Sequence, residues 1–167
     1  TCALPILFFT LFGMLPFYLS GSIDSLTNAF FETMSGFTTT GATILDDIES
    51  LSHGMLFWRS LTQWIGGLGI VFFTIAVLPA FTSGGVQLFS AESTGVTHDR
   101  THPKINVMAK WLWTVYLILT LAETILLMLG GMSLFDAVCQ SFATTATGGY
   151  STKQASISYW NSPFIEY

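Results

Sequence analysis

Three stretches of this sequence are too long and too apolar for helices with one face in water: Ala3 to Ser20, about Met55 to Leu78, and about Met108 to Met132. A hydrocarbon core about 30 Å thick is crossed by about 20 helical residues rising 1.5 Å each. The first stretch has no charged residue and holds Pro5 and Pro16. The second contains Arg59, Gln63 and Gly66-Gly67-Leu68-Gly69. The third follows Pro103 and Asn106 and closes on Gly130-Gly131, which suits a helix start and stop. Only 9% of residues are charged, against about 25% in a soluble domain, so most of the surface must face something other than water. A net charge of −5 offers no basic face to nucleic acid. The fold expected is an all-α integral membrane protein whose surroundings are the lipid bilayer.

Basic residues near span ends orient the chain. The linker 80–107 holds Arg100 and Lys104, with Lys110 just inside the third span, whereas only Lys153 lies in the opposite loops. This places the linker in the cytoplasm, with the spans running outward, inward and outward. Asp46, Asp47 and Glu49 then fall outside, either as an acidic vestibule that concentrates cations or as plain solvated side chains.

The sequence also repeats. After the first span, Ser25-Leu26-Thr27-Asn28-Ala29 leads to Thr38-Thr39-Thr40-Gly41-Ala42. After the third, Ser133-Leu134-Phe135-Asp136-Ala137 leads to Thr145-Ala146-Thr147-Gly148-Gly149. The helix starts match at an offset of 108, as do Glu32 with Gln140 and Thr33 with Ser141, while Gly41 and Gly148 match at 107. The short apolar helix, 25–37 in the first unit and 133–144 in the second, would be roughly 20 Å long, too short to cross. Ser133 with Asp136 resembles a capping box, and Ser25 with Asn28 a weaker one. Each unit therefore predicts an outward helix, a re-entrant half-helix, and an irregular Thr/Gly loop returning to the outer side.

Irregular backbone at membrane depth is tolerated only inside protein or along a water-filled path. What such loops offer is a row of carbonyl and hydroxyl oxygens. Glycines at 41 and 148 are expected to let successive carbonyls turn the same way, threonines add oxygens without charge, and the half-helix aims its negative end at the same place. All three features favour a desolvated monovalent cation, as carbonyl rings do in potassium filters. The competing explanation is Ser/Thr packing between membrane helices.

The TTTGA and TATGG tracts, FWRSLTQWIGGLGI (Phe57 to Ile70), GGVQLFSAE (Gly84 to Glu92) and PKINVMAKWLW (Pro103 to Trp113) resemble the membrane subunits of the Trk/Ktr/HKT superfamily of potassium transporters, most of all the TrkH type. The resemblance implies four helix, pore helix, filter loop, helix repeats around one potassium channel-like pore in the cell (inner) membrane. It also implies homodimers, a cytoplasmic nucleotide-binding regulatory subunit, and no cofactor beyond the transported K+. On this resemblance residues 1–79 are a first repeat with filter Thr38, Thr39, Thr40, Gly41 and Ala42 and inward helix 55–78. Residues 108–167 are an incomplete second repeat, with outward helix 108–132 and filter Thr145, Ala146, Thr147, Gly148 and Gly149, Gly149 standing where the first filter has Ala42. Two loops do not close a fourfold ring, so a piece of a longer subunit, joined to its remaining repeats, is expected.

Arg59 and Glu123 lie at membrane depth, where a bare charge costs roughly 2.5–3.5 kcal/mol on insertion scales. They are expected to pair or to share a polar network behind the filter, the alternative being a separate partner for each. Gly66, Gly67 and Gly69 read as close helix packing rather than a hinge. Tyr150 is expected either to cuff the second filter or to sit at the interface, as Trp160 does. His98 and His102 have i, i+4 spacing but no third ligand, and Cys2 and Cys139 lie in apolar surroundings, so no transition-metal site is expected. Without a nucleophile–base pair or a phosphate loop the chain does not read as an enzyme. The rivals to an ion path are a helical membrane scaffold and, more loosely, an intramembrane enzyme.

Overall fold

The computed structural model describes residues 3–69 and 105–166, and the described residues are helices joined by irregular segments, the longest from 38 to 52, with no strand among them. The helices are α1 (Ala3–Gly13), α2 (Leu15–Leu19), α3 (Leu26–Phe37), α4 (53–69), α5 (Ile105–Leu129), α6 (Leu134–Thr145) and α7 (Pro163–Glu166), with a 3-10 turn at Ser156–Trp160. The linker from 80 to 104, the second half of the expected inward span, and His98 and His102 lie outside the described residues.

Local chemistry accounts for the boundaries. The first apolar stretch is one rod interrupted at Met14, because Pro16 has no N–H for the helical ladder; Met14 N–H to Thr10 (3.0 Å) and Tyr18 N–H to Met14 (3.1 Å) carry the path across the break. Helix α5 stops where Gly131 takes φ +102 and Met132 N–H returns to the Leu127 carbonyl at 3.1 Å, a glycine-terminated C-cap. Ser133 caps α6 by accepting from Asp136 N–H at 3.2 Å, whereas Ser25 makes no side-chain cap on α3. Within α5 the segment Lys110–Leu129 is long and apolar enough to cross a bilayer; Ile6–Leu19 is apolar but shorter.

The packing is polar inside and apolar outside. Trp111, Ile118, Leu121, Ile125 and Leu129 on α5 are exposed, while Tyr116, Thr120 and Thr124, four residues apart on the opposite face, are buried, Tyr116 against α4 and the two threonines against α6. Thr124 and Ser141 hydroxyls meet there at 2.8 Å. Among the largest fully buried side chains are Arg59, Gln63 and Glu32. That distribution suits lipid as the outer solvent, since helix association within lipid draws on small residues and hydrogen bonds.

Helix α4 is the wedge between the two repeats. On one side Gly66 lies so close to the Phe37 carbonyl that a Cβ would collide with it, and Thr62 fills the space a side chain on Gly36 would need. On the other side a Cβ on Gly67 would stand 3.0 Å from the Cα of Ala146. Gly66 and Gly67 are thus packing glycines; the Cβ position of Gly69 has no neighbour within 4 Å among the described residues.

Candidate functional site

The two half-helices end alike. In the first repeat Thr39 N–H bonds the Gly36 carbonyl (2.9 Å) and Thr40 N–H the Ser35 carbonyl (3.0 Å). In the second, Thr147 N–H bonds Thr144 and Gly148 N–H bonds Ala143, both at 2.8 Å. This is the Schellman pattern, which needs a left-handed residue just past the cap. Thr39 (φ 52) and Thr147 (φ 56) supply it. A β-branched residue there is strained by on the order of 1–2 kcal/mol, so the surroundings hold each loop in this shape.

These bonds correct the alignment of the two loops. Leu134 stands 108 positions after Leu26, and Thr147 108 after Thr39. Gly149 (φ +85) is therefore the counterpart of Gly41 (φ +76), Gly148 that of Thr40, and Tyr150 that of Ala42. The offset of 107 fails, and with it the comparison of Ala42 with Gly149. Gly148 is not in the left-handed region; it is glycine because the Gln63 amide occupies the place of its Cβ. Gly41 meets both demands, since a Cβ there would also strike the Gly148 carbonyl. The same closeness brings the two loops into direct backbone contact. Thr145 is the last residue of α6, and its hydroxyl turns to Glu123 Oε2 (3.3 Å).

Past the caps the loops leave backbone oxygens free. Among the described residues no backbone N–H donates to the carbonyls of Thr39, Thr40, Gly41, Thr147, Gly148 or Gly149. Thr40, Ala42, Thr147 and Gly149 are exposed. The Thr38 hydroxyl is taken up by the Met34 carbonyl (2.7 Å) and contacts the Thr40 hydroxyl at 2.8 Å.

Behind the loops a buried network ties one repeat to the other. Arg59 Nε donates to Glu32 Oε1 at 2.7 Å, with both side chains almost wholly enclosed. The same guanidinium donates through Nη1 to the Ser151 carbonyl (3.1 Å) and lies 3.6 Å from the centroid of the Tyr150 ring. The expected pairing of Arg59 with Glu123 is overturned: Arg59 faces the repeat boundary, while Glu123 on α5 faces the end of α6. Glu32 also accepts from the Thr43 hydroxyl (2.9 Å) and Ile44 N–H (3.1 Å), which fixes the exit of the first loop. The Tyr150 hydroxyl donates its one proton between the carbonyls of Glu32 (2.9 Å) and Ala42 (3.3 Å). Tyr150 is thus a buried brace between the loops, and Trp160 lies apart in the 3-10 turn. Farther out, Lys153 Nζ meets Glu49 Oε2 at 3.1 Å, a hydrogen bond that raises the lysine pKa.

Comparison with known proteins identifies the family. The family model described as TrkH, cation transport protein, matches residues 7–167. The chain belongs to the TrkH family of cation transport proteins. TrkH of Escherichia coli (strain K12), a Trk system potassium uptake protein, is 47% identical over 165 residues, covering 96% of this chain and 34% of the relative. TrkG of the same strain, also a Trk system potassium uptake protein, is 37% identical, covering 96% and 34%. The crystal structure of the potassium transporter TrkH from Vibrio parahaemolyticus superposes with a TM-score of 0.77 at 38% identity, covering 98% of this chain and 33% of that one. The chain spans about a third of the length of these TrkH-family relatives. The family is one of cation transport proteins, and these relatives are by name a transporter and uptake proteins, not enzymes.

Sequence reasoning singled out Arg59 and weighed Tyr150, but it assigned no role to Glu32 or Gln63. Two signals were present. Glu32 corresponds to Gln140, and Arg59 with Gln63 has the i, i+4 spacing of one helix face.

Proposed function

We propose that this chain contributes two of the filter-bearing repeats of a potassium pore in the cell membrane, in the bacterial case the inner membrane. One observation carries the proposal: two matched loops, in contact with each other at the ends of two half-helices, leave successive carbonyl oxygens without donors among the described residues. Oxygens held free of protein donors at a negative helix end suit a cation that has shed its water. The names of the relatives, potassium uptake proteins, support K+ as the cargo.

In this proposal Thr39 to Gly41 and Thr147 to Gly149 present carbonyls to the ion, Thr38 and Ala146 cap the half-helices, and Ala42 and Thr145 flank the path. The further repeats that complete the ring belong to the intact subunit. Pairing as a homodimer and docking of a nucleotide-binding regulatory subunit rest on the family resemblance. The chain's own residues select and conduct; Arg59, Glu32 and Tyr150 hold the loops in place.

The test is Rb+ uptake and K+ over Na+ preference of the intact subunit in liposomes. Gly41→Ala should cut uptake or relax the preference, because the new Cβ meets both a left-handed φ and the Gly148 carbonyl. Uptake and preference both unchanged, at normal membrane levels, would overturn the filter and favour a packing scaffold.

A further inference from the structure

Helix α4 lies along the second loop like a rail. Gly67 packs on Ala146, Gln63 meets Gly148 and Tyr150, and Arg59 bonds Ser151. These three residues are spaced four apart and so share one helix face. The residue at the middle of the rail is Gln63, which is completely buried. Its Oε1 accepts from Tyr150 N–H at 3.1 Å, and its amide fills the space that a side chain on Gly148 would need. Its Nε2 has no partner among the described residues, and it lies against Gly148, whose carbonyl receives no backbone N–H there.

We propose that Gln63 is a specificity-determining positioning residue: carried on the inner helix of the first repeat, it sets the carbonyl geometry of the second repeat's filter loop. This rests on the filter assignment made above. The physical reason is that the loop has few other restraints. Thr147 and Gly148 N–H are spent on the helix cap, and Tyr150 N–H is the next backbone donor with a partner. Without the Gln63 acceptor that buried N–H is orphaned, a state costly enough to redistribute the loop among other conformations. An amide is suited to the position because it offers an acceptor to Tyr150 and a spare donor toward the loop with no net charge. A carboxylate would keep the acceptor but add a negative charge beside a cation path, and an alkyl group would supply no acceptor.

The experiment measures K+ over Na+ preference and Rb+ uptake of the intact subunit in liposomes for Gln63→Leu, Gln63→Glu and, in parallel, Gly41→Ala. Gln63→Leu should lower the preference roughly tenfold at unchanged membrane level, and Gln63→Glu should retain more of it than Gln63→Leu. Should Gln63→Leu fail to reach the membrane, Gln63→Asn tests the same contact. It keeps an uncharged amide but is one methylene short of Tyr150 N–H, and it too should relax the preference. If Gly41→Ala relaxes the preference while the Gln63 variant that assembles stays within about twofold of the parent, the Gln63 inference is overturned and the filter assignment stands. If neither alters preference or uptake, the filter assignment itself is lost.

Discussion

The two repeats end their half-helices with the same bonds but anchor them with different chemistry. In the first, Glu32 is saturated: Arg59, Thr43 and Ile44 N–H all converge on its carboxylate. In the second, the residue at the matching place is Gln140, buried, with Oε1 unpartnered among the described residues. The contrast shows what the loops share and what they do not. The shape of the loop comes from the Schellman cap, which both repeats possess. The charge behind it is local to the repeat boundary that α4 fills.

The sharpest way to break this comparison is to uncouple the ion pair. Removing one member of a buried pair costs about 3–5 kcal/mol, because the other charge is left enclosed without its partner. Arg59→Met or Glu32→Gln should therefore lower thermal stability of the purified intact subunit by that order. The double variant Glu32→Gln with Arg59→Met, which gives the first repeat the neutral chemistry of the second, should recover most of the loss. Failure of the double variant to recover would mean that Arg59 acts mainly through Ser151 and Tyr150.

The reciprocal change is smaller, because a new carboxyl can take up a proton in place of a partner. Gln140→Glu puts that group where no described cation reaches, and the protonated form should cost about 1–3 kcal/mol in the same thermal assay. No loss would point to a cation supplied from beyond the described residues. Next comes Tyr150→Phe, which removes the hydroxyl braced on Glu32 and Ala42 and should cost about 1 kcal/mol. The half-helix starts give a matched pair of controls. Ser133→Ala should cost about 1 kcal/mol, as lost caps do, and Ser25→Ala far less, since its side chain caps nothing.

The smallest effect is at the outer surface, where Lys153 and Glu49 join the loops of the two repeats. An exposed pair contributes between about 0 and 1 kcal/mol. Because the hydrogen bond to Glu49 raises the lysine pKa, its contribution is fully present below the ordinary lysine pKa of about 10.4 and is lost as pH rises through the higher folded value. Lys153→Met should accordingly lower stability slightly at pH 7 to 9, and the difference from the parent should vanish in strong alkali.

Much of the architecture was legible in the order of residues. Apolar length, the scarcity of charge, the repeated half-helix and the Thr/Gly tracts each follow from local patterns, and the glycine stop at Gly130-Gly131 and the Ser133 cap are equally local. What only the tertiary structure decided lies between elements distant in sequence. Whether Arg59 meets Glu32 or Glu123 depends on how α4 is rotated against α3 and the second loop, and helical periodicity alone does not set that rotation. The matching of Gly41 with Gly149 depends on backbone angles, whereas the residue order alone aligns Gly41 with Gly148. The reason Gly148 is glycine is a Gln63 side chain that folding brings beside it from 85 positions earlier in the chain. Hydrophobic pattern and caps are written within a few residues of the structures they specify, whereas a buried polar contact takes its partner from whatever packing brings within about 3 Å.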